Sequence, residues 1–280
     1  MTRAKKSLGQ HFLVDKRVIE RIVQSVSPQP GDLIVEIGPG RGALTRPLAN
    51  ASRFLLAVET DRELAELLTA DLAGPRVRIV HADAMKVDWR QLIDSAVEEF
   101  QRLDPEVTGQ VRVRIAANLP YYISTPILQR LIFLKSLIYD MTLMLQDEVV
   151  DRIASSPGGR DYGYLSVLCQ FYCEVEKLFE VPASAFKPAP EVRSAVVHLQ
   201  VRKVPPAHVV DEARFISVVQ ASFAQRRKTI LNNLKAARSM LRPSVELLKA
   251  LEEAGIAPTR RAETLSIEEF ACLSEHLFRG

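Results

Sequence analysis

The chain has 280 residues, 47% of them hydrophobic and 25% charged, with a net charge of +3. These are the values of an ordinary globular chain, long enough for one large domain or a medium domain with a small one, and they exclude disordered and fibrous classes. The longest apolar run, Phe54–Val58, has five residues, where a membrane-spanning helix needs about 20.

The N-terminus, Met1-Thr2-Arg3-Ala4-Lys5-Lys6, leads into no apolar stretch of the kind a secretory signal needs. Cys169, Cys173 and Cys272 form neither a disulfide framework nor a zinc-ligand spacing. The expectation is a reduced, cytoplasmic protein, monomeric, with no metal and no membrane partner.

Apolar runs and helical periodicities alternate along the first two hundred residues. Leu33–Ile37 reads as a strand ending at a glycine cluster, and Arg41–Ala51 as a helix despite Pro47. Phe54–Val58 is the next strand, and Asp61–Leu72 a helix with Leu64, Leu67, Leu68 and Leu72 on one stripe. Val77–Val80, a helix over Trp89–Leu103, Val111–Ala117, a helix over Thr125–Leu134 and Tyr139–Leu145 follow. Short buried strands separated by helices point to an α/β fold with a doubly wound, Rossmann-like parallel sheet. Ser155-Ser156-Pro157-Gly158-Gly159 reads as a loop, and Cys169 and Cys173 as i, i+4 neighbours in the core of one helix. Glu174–Val181 and Ser194–Val201 read as an antiparallel pair at the sheet edge. Pro205-Pro206 then breaks the chain, and Asp211–Leu241, Ser244–Ala254 and Ile267–Leu277 all read as helices. The expected boundary lies near residue 204, with domains 1–204 and 205–280, the second small and all-helical.

Charge is unevenly placed. Residues 3–17 hold five Lys/Arg against Asp15, and 214–242 hold seven with no acid, whereas 244–280 hold seven acids against four bases. From charge alone, solvated helix faces are the simpler account. The alternative is a polyanion-facing surface.

Val35-Glu36-Ile37-Gly38-Pro39-Gly40-Arg41-Gly42 follows the first strand and opens a helix. Glycines there allow a tight turn and close approach of a ligand. Glu59 ends the second strand, 21 residues after Gly38, where nucleotide-binding folds place an acid for ribose hydroxyls. Asp83 ends the third. The three strand ends converge on one crevice. The loop by itself fits a dinucleotide as well as S-adenosylmethionine.

Asn118-Leu119-Pro120-Tyr121-Tyr122 follows the fourth strand. An exocyclic amine of adenine is a poor nucleophile because its lone pair is conjugated with the ring. The Asn118 amide oxygen and the Leu119 carbonyl can accept its two N–H groups and free that lone pair. Pro120 stiffens the turn, and Tyr121 can stack on the base and stabilise its developing positive charge. A nucleotide-dependent oxidoreductase has no use for this turn.

Asn118–Tyr122 resembles the NPPY-type motif of S-adenosylmethionine-dependent N6-adenine methyltransferases. The chain as a whole is similar to the KsgA/RsmA family of rRNA adenine dimethyltransferases. The likeness runs through Leu8–Leu13, Glu36–Gly42, Glu59, Asp83-Ala84, Asn118–Ser124, Leu145–Val149, Tyr162–Val167, Phe186–Val197 and Phe223–Ile230. It implies transfer of methyl groups from S-adenosylmethionine to N6 of two adjacent adenines in the 3′-terminal hairpin loop of small-subunit rRNA, with a role in ribosome biogenesis. Its partner would be that rRNA or the pre-ribosomal small subunit.

Carried over residue by residue, the resemblance has His11 and Leu13 close over the cofactor and Gly38 and Gly40 lie against it. Glu59 would bind its ribose, and Asp83 with Ala84 its adenine. Asn118, Leu119, Pro120 and Tyr121 would handle the target base, Asn118 also contacting the cofactor, with Phe186 on the other side, although core packing would also explain Phe186. Lys5, Lys6, Arg226, Arg227 and Lys228 would touch RNA phosphates. His11 stands where the family often has Asn. Tyr122 stands where many members have Asn and is left out of the site as a packing residue. Ala189 and Arg193 replace Pro and Asp, and Arg193 is expected to add a phosphate contact. The rivals are an Erm-like methyltransferase of one large-subunit adenine, and an assembly factor whose methylation is secondary.

Overall fold

The apolar runs become strands and the capped periodic stretches become helices in the structure, a computed structural model that describes residues 10–279. In chain order these are β1 (Phe12–Leu13), α1 (Lys16–Val26), β2 (Asp32–Ile37), α2 (Thr45–Ala51), β3 (Phe54–Glu59), α3 (Arg62–Asp71), β4 (Val77–His81), α4 (Trp89–Leu103), β5 (Arg112–Asn118), α5 (Ser124–Phe133) and β6 (Asp140–Gln146). There follow α6 (Asp147–Ala154), α7 (Tyr164–Tyr172), β7 (Cys173–Val181), β8 (Phe186–Lys187) and β9 (Ser194–Val201). The chain then runs through α8 (Glu212–Ser222), α9 (Ile230–Ala236), α10 (Arg238–Leu241), α11 (Leu247–Glu253) and α12 (Ile267–Leu277). Lys5, Lys6, Leu8 and Gly9 lie outside the described residues. Among those residues no helix is long and apolar enough to cross a membrane, and no group of three or more His, Cys, Asp or Glu is placed to hold a metal.

Contacts divide the chain into two compact units. One holds the described residues up to Val150 with Glu174–Val201; the other holds Asp151–Cys173 with the described residues from Arg202 on. In the first, a seven-stranded sheet has the order β4-β3-β2-β5-β6-β9-β7. Strands β4, β3, β2, β5 and β6 run parallel, and β9 is antiparallel to β6. Every residue of β2 and β3 is buried, as central strands covered on both faces require. Helix α1 was not evident from the apolar runs. Asp15 caps it by accepting from the Arg17 and Val18 amides, and Val18, Ile22 and Val26 form its buried stripe. They join a core with Leu13, Ile34, Leu48, Leu55 and Phe186.

The second unit gains residues 151–173 because its aromatic core needs them. Phe171 packs on Phe215 with ring centroids 4.4 Å apart, and Tyr162 sits edge-on to Phe223 at 6.0 Å. The Tyr172 hydroxyl donates to Glu212, and the Gly158 amide to the Glu263 carbonyl. The expected break near 204 falls close to the observed one at 201, but the expected continuous 1–204 block does not hold. The single helix expected over Asp211–Leu241 is three. It breaks after Ser222 because the Asn233 amide donates to the Ser222 and Gln225 carbonyls, and Thr229 caps a new helix through the Asn232 amide. Cys169 lies in α7 but Cys173 opens β7, so the two do not share a helix, although both are buried.

Candidate active site

The sheet order fixes where a site can form. From β2 the chain steps outward to β3 and β4, then crosses back to β5 and β6 on the other side. The carboxyl ends of β2 and β5 flank this switch point, where open α/β sheets bind ligands. Register makes the placement specific. Ile37 is level with Val58 on β3 and with Ala117 on β5. One step further, Gly38, Glu59 and Asn118 stand side by side at the edge. The Gly38 amide still donates to the Val58 carbonyl at 2.9 Å.

A single cavity opens there. Its wall includes His11, Leu13, Gly38, Gly40, Glu59, Asp83, Ala84, Asn118, Leu119, Pro120, Tyr121 and Phe186, so every cofactor and base residue expected from the sequence is brought together. Gly38 and Gly40 have φ of +69° and +57°, which L side chains rarely adopt. A Cβ on Gly40 would also press the Phe12 ring at 3.3 Å.

The cavity gathers three carboxyl groups. Glu59 is 4% exposed, and its two carboxylate oxygens accept the Gly40 and Asp61 amides, each at 2.8 Å. Burial raises its pKa, and those amides oppose the rise. Glu36 also lines the cavity and is 2% exposed. Its Oε2 has no hydrogen-bond partner, and burial pushes its pKa up to about 8. Asp83 accepts the Met85 amide and pairs with Lys86 at 3.7 Å. The Glu59 and Asp83 carboxyl groups suit a cationic ligand with hydroxyl and amino groups, which favours S-adenosylmethionine at the glycine loop.

On the β5 side, the Asn118 side-chain amide nitrogen donates to the His11 carbonyl at 3.5 Å. Among the described residues no hydrogen bond falls on Asn118 Oδ1 or on the Leu119 carbonyl. The Tyr121 hydroxyl and Ser194 Oγ are 2.7 Å apart, and the Tyr121 ring stacks on His11 at 5.8 Å. His11 Nδ1 in turn bonds the Pro188 carbonyl at 2.8 Å. The strand pair β1–β8 places Leu13 opposite Phe186 over the cavity.

The sequence reading gave Glu36 no role of its own, although a lone acid inside the run Leu33–Ile37 was a visible signal. It also set Tyr122 aside as packing. Tyr122 is in fact 57% exposed and lines the cavity. Arg193, expected at a phosphate, pairs with Glu180 at 3.1 Å and Asp147 at 3.5 Å. In the second unit, Arg226, Arg227 and Lys228 lie together on the exposed turn between α8 and α9. Arg226 pairs with Glu263 at 3.2 Å. Arg227 and Lys228 make no ion pair among the described residues.

A family model described as "Ribosomal RNA adenine dimethylase" matches residues 1–278. A protein of Shouchella clausii named "Ribosomal RNA small subunit methyltransferase A" is 44% identical over 275 residues, 98% of this chain and 90% of its own length. One of the same name from Moorella thermoacetica is 45% identical over 277 residues, covering 98% and 92%. Among solved structures, a dimethyladenosine transferase from Plasmodium falciparum superposes with a TM-score of 0.73 at 21% identity, covering 94% of this chain and 96% of that one. The 23S rRNA methyltransferase ErmE gives 0.66 at 26%, covering 95% and 99%. With the crevice and the Asn118 turn side by side at one sheet edge, and the likeness end to end, the chain belongs to the ribosomal RNA adenine dimethylase family.

Proposed function

We propose that this chain transfers methyl groups from S-adenosylmethionine to N6 of two adjacent adenines in the 3′-terminal hairpin loop of small-subunit rRNA. The observation that carries the chemistry is the pair of open acceptors, Asn118 Oδ1 and the Leu119 carbonyl, at the same sheet edge as Glu59 and the glycine loop. S-adenosylmethionine, when bound, supplies an electrophilic methyl group. Glu59 would take its ribose hydroxyls, and Asp83 with Ala84 its adenine. Gly38 and Gly40 offer it backbone at close range, and His11 and Leu13 cover it.

Asn118 and Leu119 accept the two N–H groups of the target amine and draw its nitrogen toward tetrahedral geometry. The free face of Tyr121 stacks on the base, and burial keeps its hydroxyl protonated by raising its pKa. Phe186 closes the other side. The methylated ammonium is acidic enough to release its proton to water, so no base on this chain is required. The second unit would recognise RNA through Arg227 and Lys228, with Arg226 held partly by Glu263.

The Erm-like reading is weaker. Identity is 44% to the small-subunit enzyme of Shouchella clausii and 26% to ErmE. The test is to map labelled methyl groups on rRNA from cells with and without the gene. Loss of dimethylation at two adjacent small-subunit adenines is expected. Loss at one large-subunit adenine would favour the Erm-like reading, and no change would leave a binding factor.

A further inference from the structure

The chain has 11 Phe, 6 Tyr and 1 Trp, and among the described residues only Tyr122 and Phe133 are exposed. Phe133 ends α5, away from the cavity wall, whereas Tyr122 stands on that wall. Exposing a large ring forgoes the burial that stabilises aromatics elsewhere in this fold.

The backbone on both sides of Tyr122 is fixed. The Ile123 amide donates to the Pro120 carbonyl at 3.1 Å, and Ser124 Oγ to the Tyr121 carbonyl at 3.0 Å. Tyr121 is committed differently, with its hydroxyl at Ser194 and one ring face on His11. Two consecutive tyrosines therefore present one half-buried ring inside the cavity and one solvent-facing ring at its mouth, on a turn already ordered.

The substrate chemistry supplies a partner for the outer ring. An adenine drawn into the cavity leaves its stack, and the neighbouring base loses a stacking partner at the cavity mouth. Proteins that bind unpaired RNA replace such stacking with aromatic side chains. We infer that Tyr122 is the stacking platform for the nucleobase adjacent to the adenine held in the cavity. This rests on the function proposed above and extends it, because consecutive adenines would be gripped by consecutive tyrosines.

The experiment measures binding of the 3′-terminal hairpin to the full chain in the presence of S-adenosylhomocysteine. The parent is compared with Tyr122→Ala, Tyr122→Phe and Tyr122→Trp, each on intact RNA and on RNA with a single abasic site on either side of the target adenine. Tyr122→Ala should weaken binding by about 5- to 150-fold, the range for removal of one base–aromatic stack. Phe and Trp should restore it. On one of the two abasic RNAs the parent should bind as weakly as Tyr122→Ala does on intact RNA, and Tyr122→Ala should lose little more. Penalties that multiply on both abasic RNAs, or a Phe variant as weak as Ala, would overturn the inference. Methylation of small-subunit rRNA by the parent enzyme is measured alongside, both on the naked RNA and on the pre-ribosomal small subunit. If either substrate is methylated while the penalties multiply, only the role of Tyr122 falls. If neither is methylated, the proposed function falls and the inference with it.

Discussion

Glu59→Gln separates a ligand-binding carboxylate from a loop brace, because the structure makes Glu59 a brace and the proposed function makes it the ribose ligand. Its two oxygens hold the Gly40 and Asp61 amides at 2.8 Å. Gln keeps one acceptor and turns an NH2 toward the other amide. One N–H at a nearly buried site is then unsatisfied, which costs about 1–3 kcal/mol of stability. The ribose would also lose a charged acceptor. Hydrogen bonds to charged groups are worth about 1.5–3 kcal/mol against about 0.5–1.5 for neutral ones, so the expected loss is about 1.4 kcal/mol, or tenfold in S-adenosylmethionine affinity. Calorimetric titration of the cofactor, with thermal unfolding in parallel, reads both effects. Burial raises the Glu59 pKa, so protonation sets in at a higher pH than for an ordinary carboxylate. Parent affinity should fall as pH is lowered, and this fall should be blunted in Glu59→Gln. Parent-like affinity and the same pH profile in the variant would refute the ribose assignment.

Two further perturbations follow from the same geometry. Between its unfolded value near 4.5 and about 8, Glu36 keeps a proton in the folded chain that the unfolded chain releases. Its contribution to stability is therefore fully present below that window and lost as pH rises through it. Chemical denaturation from pH 5 to 8 should show a shallower decline for Glu36→Gln than for the parent, and parallel curves would show that Glu36 ionises normally. Replacing Arg226, Arg227 and Lys228 by Ala should weaken RNA binding and flatten its dependence on log salt by up to about 0.9 for each phosphate no longer neutralised. Two such phosphates are expected rather than three, because Arg226 is engaged by Glu263. Cofactor affinity should not move, and an unchanged salt slope would assign these residues to another role.

The central strands were legible because they are buried on both faces. Phe54–Val58 needed only Glu59 added to give β3. The placement of the candidate site residues was legible for a related reason, since a parallel sheet brings the ends of its strands to one edge and a motif that follows a strand is placed by that fact. Helix α1 was missed although its Asp15 cap and its Val18, Ile22, Val26 stripe are local signals. The break after Ser222 could not be read from periodicity, because it is made by the Asn233 side chain bonding back across the turn. Nor could the return of 151–173 to the second unit, which depends on Phe171 meeting Phe215. Tyr122 was misjudged because the sequence shows an aromatic residue beside a motif and not which way the turn aims it.

Amine activation by Asn118 is tested most directly by single-turnover methylation with saturating Asn118→Ala. Among the described residues the Asn118 side chain makes one hydrogen bond, to the His11 carbonyl at 3.5 Å, so its removal is expected to leave the crevice standing. Glu59 and Asp83 should keep cofactor binding close to parent, and phosphate contacts should keep RNA binding close to parent. An acceptor whose bond strengthens as the nitrogen becomes tetrahedral lowers the barrier more than it stabilises the ground state. Loss of such a partner typically costs about 10²–10³ in turnover. The account predicts that loss in the methylation rate, with both binding affinities retained. Methylation by Asn118→Ala at the parent rate would contradict it.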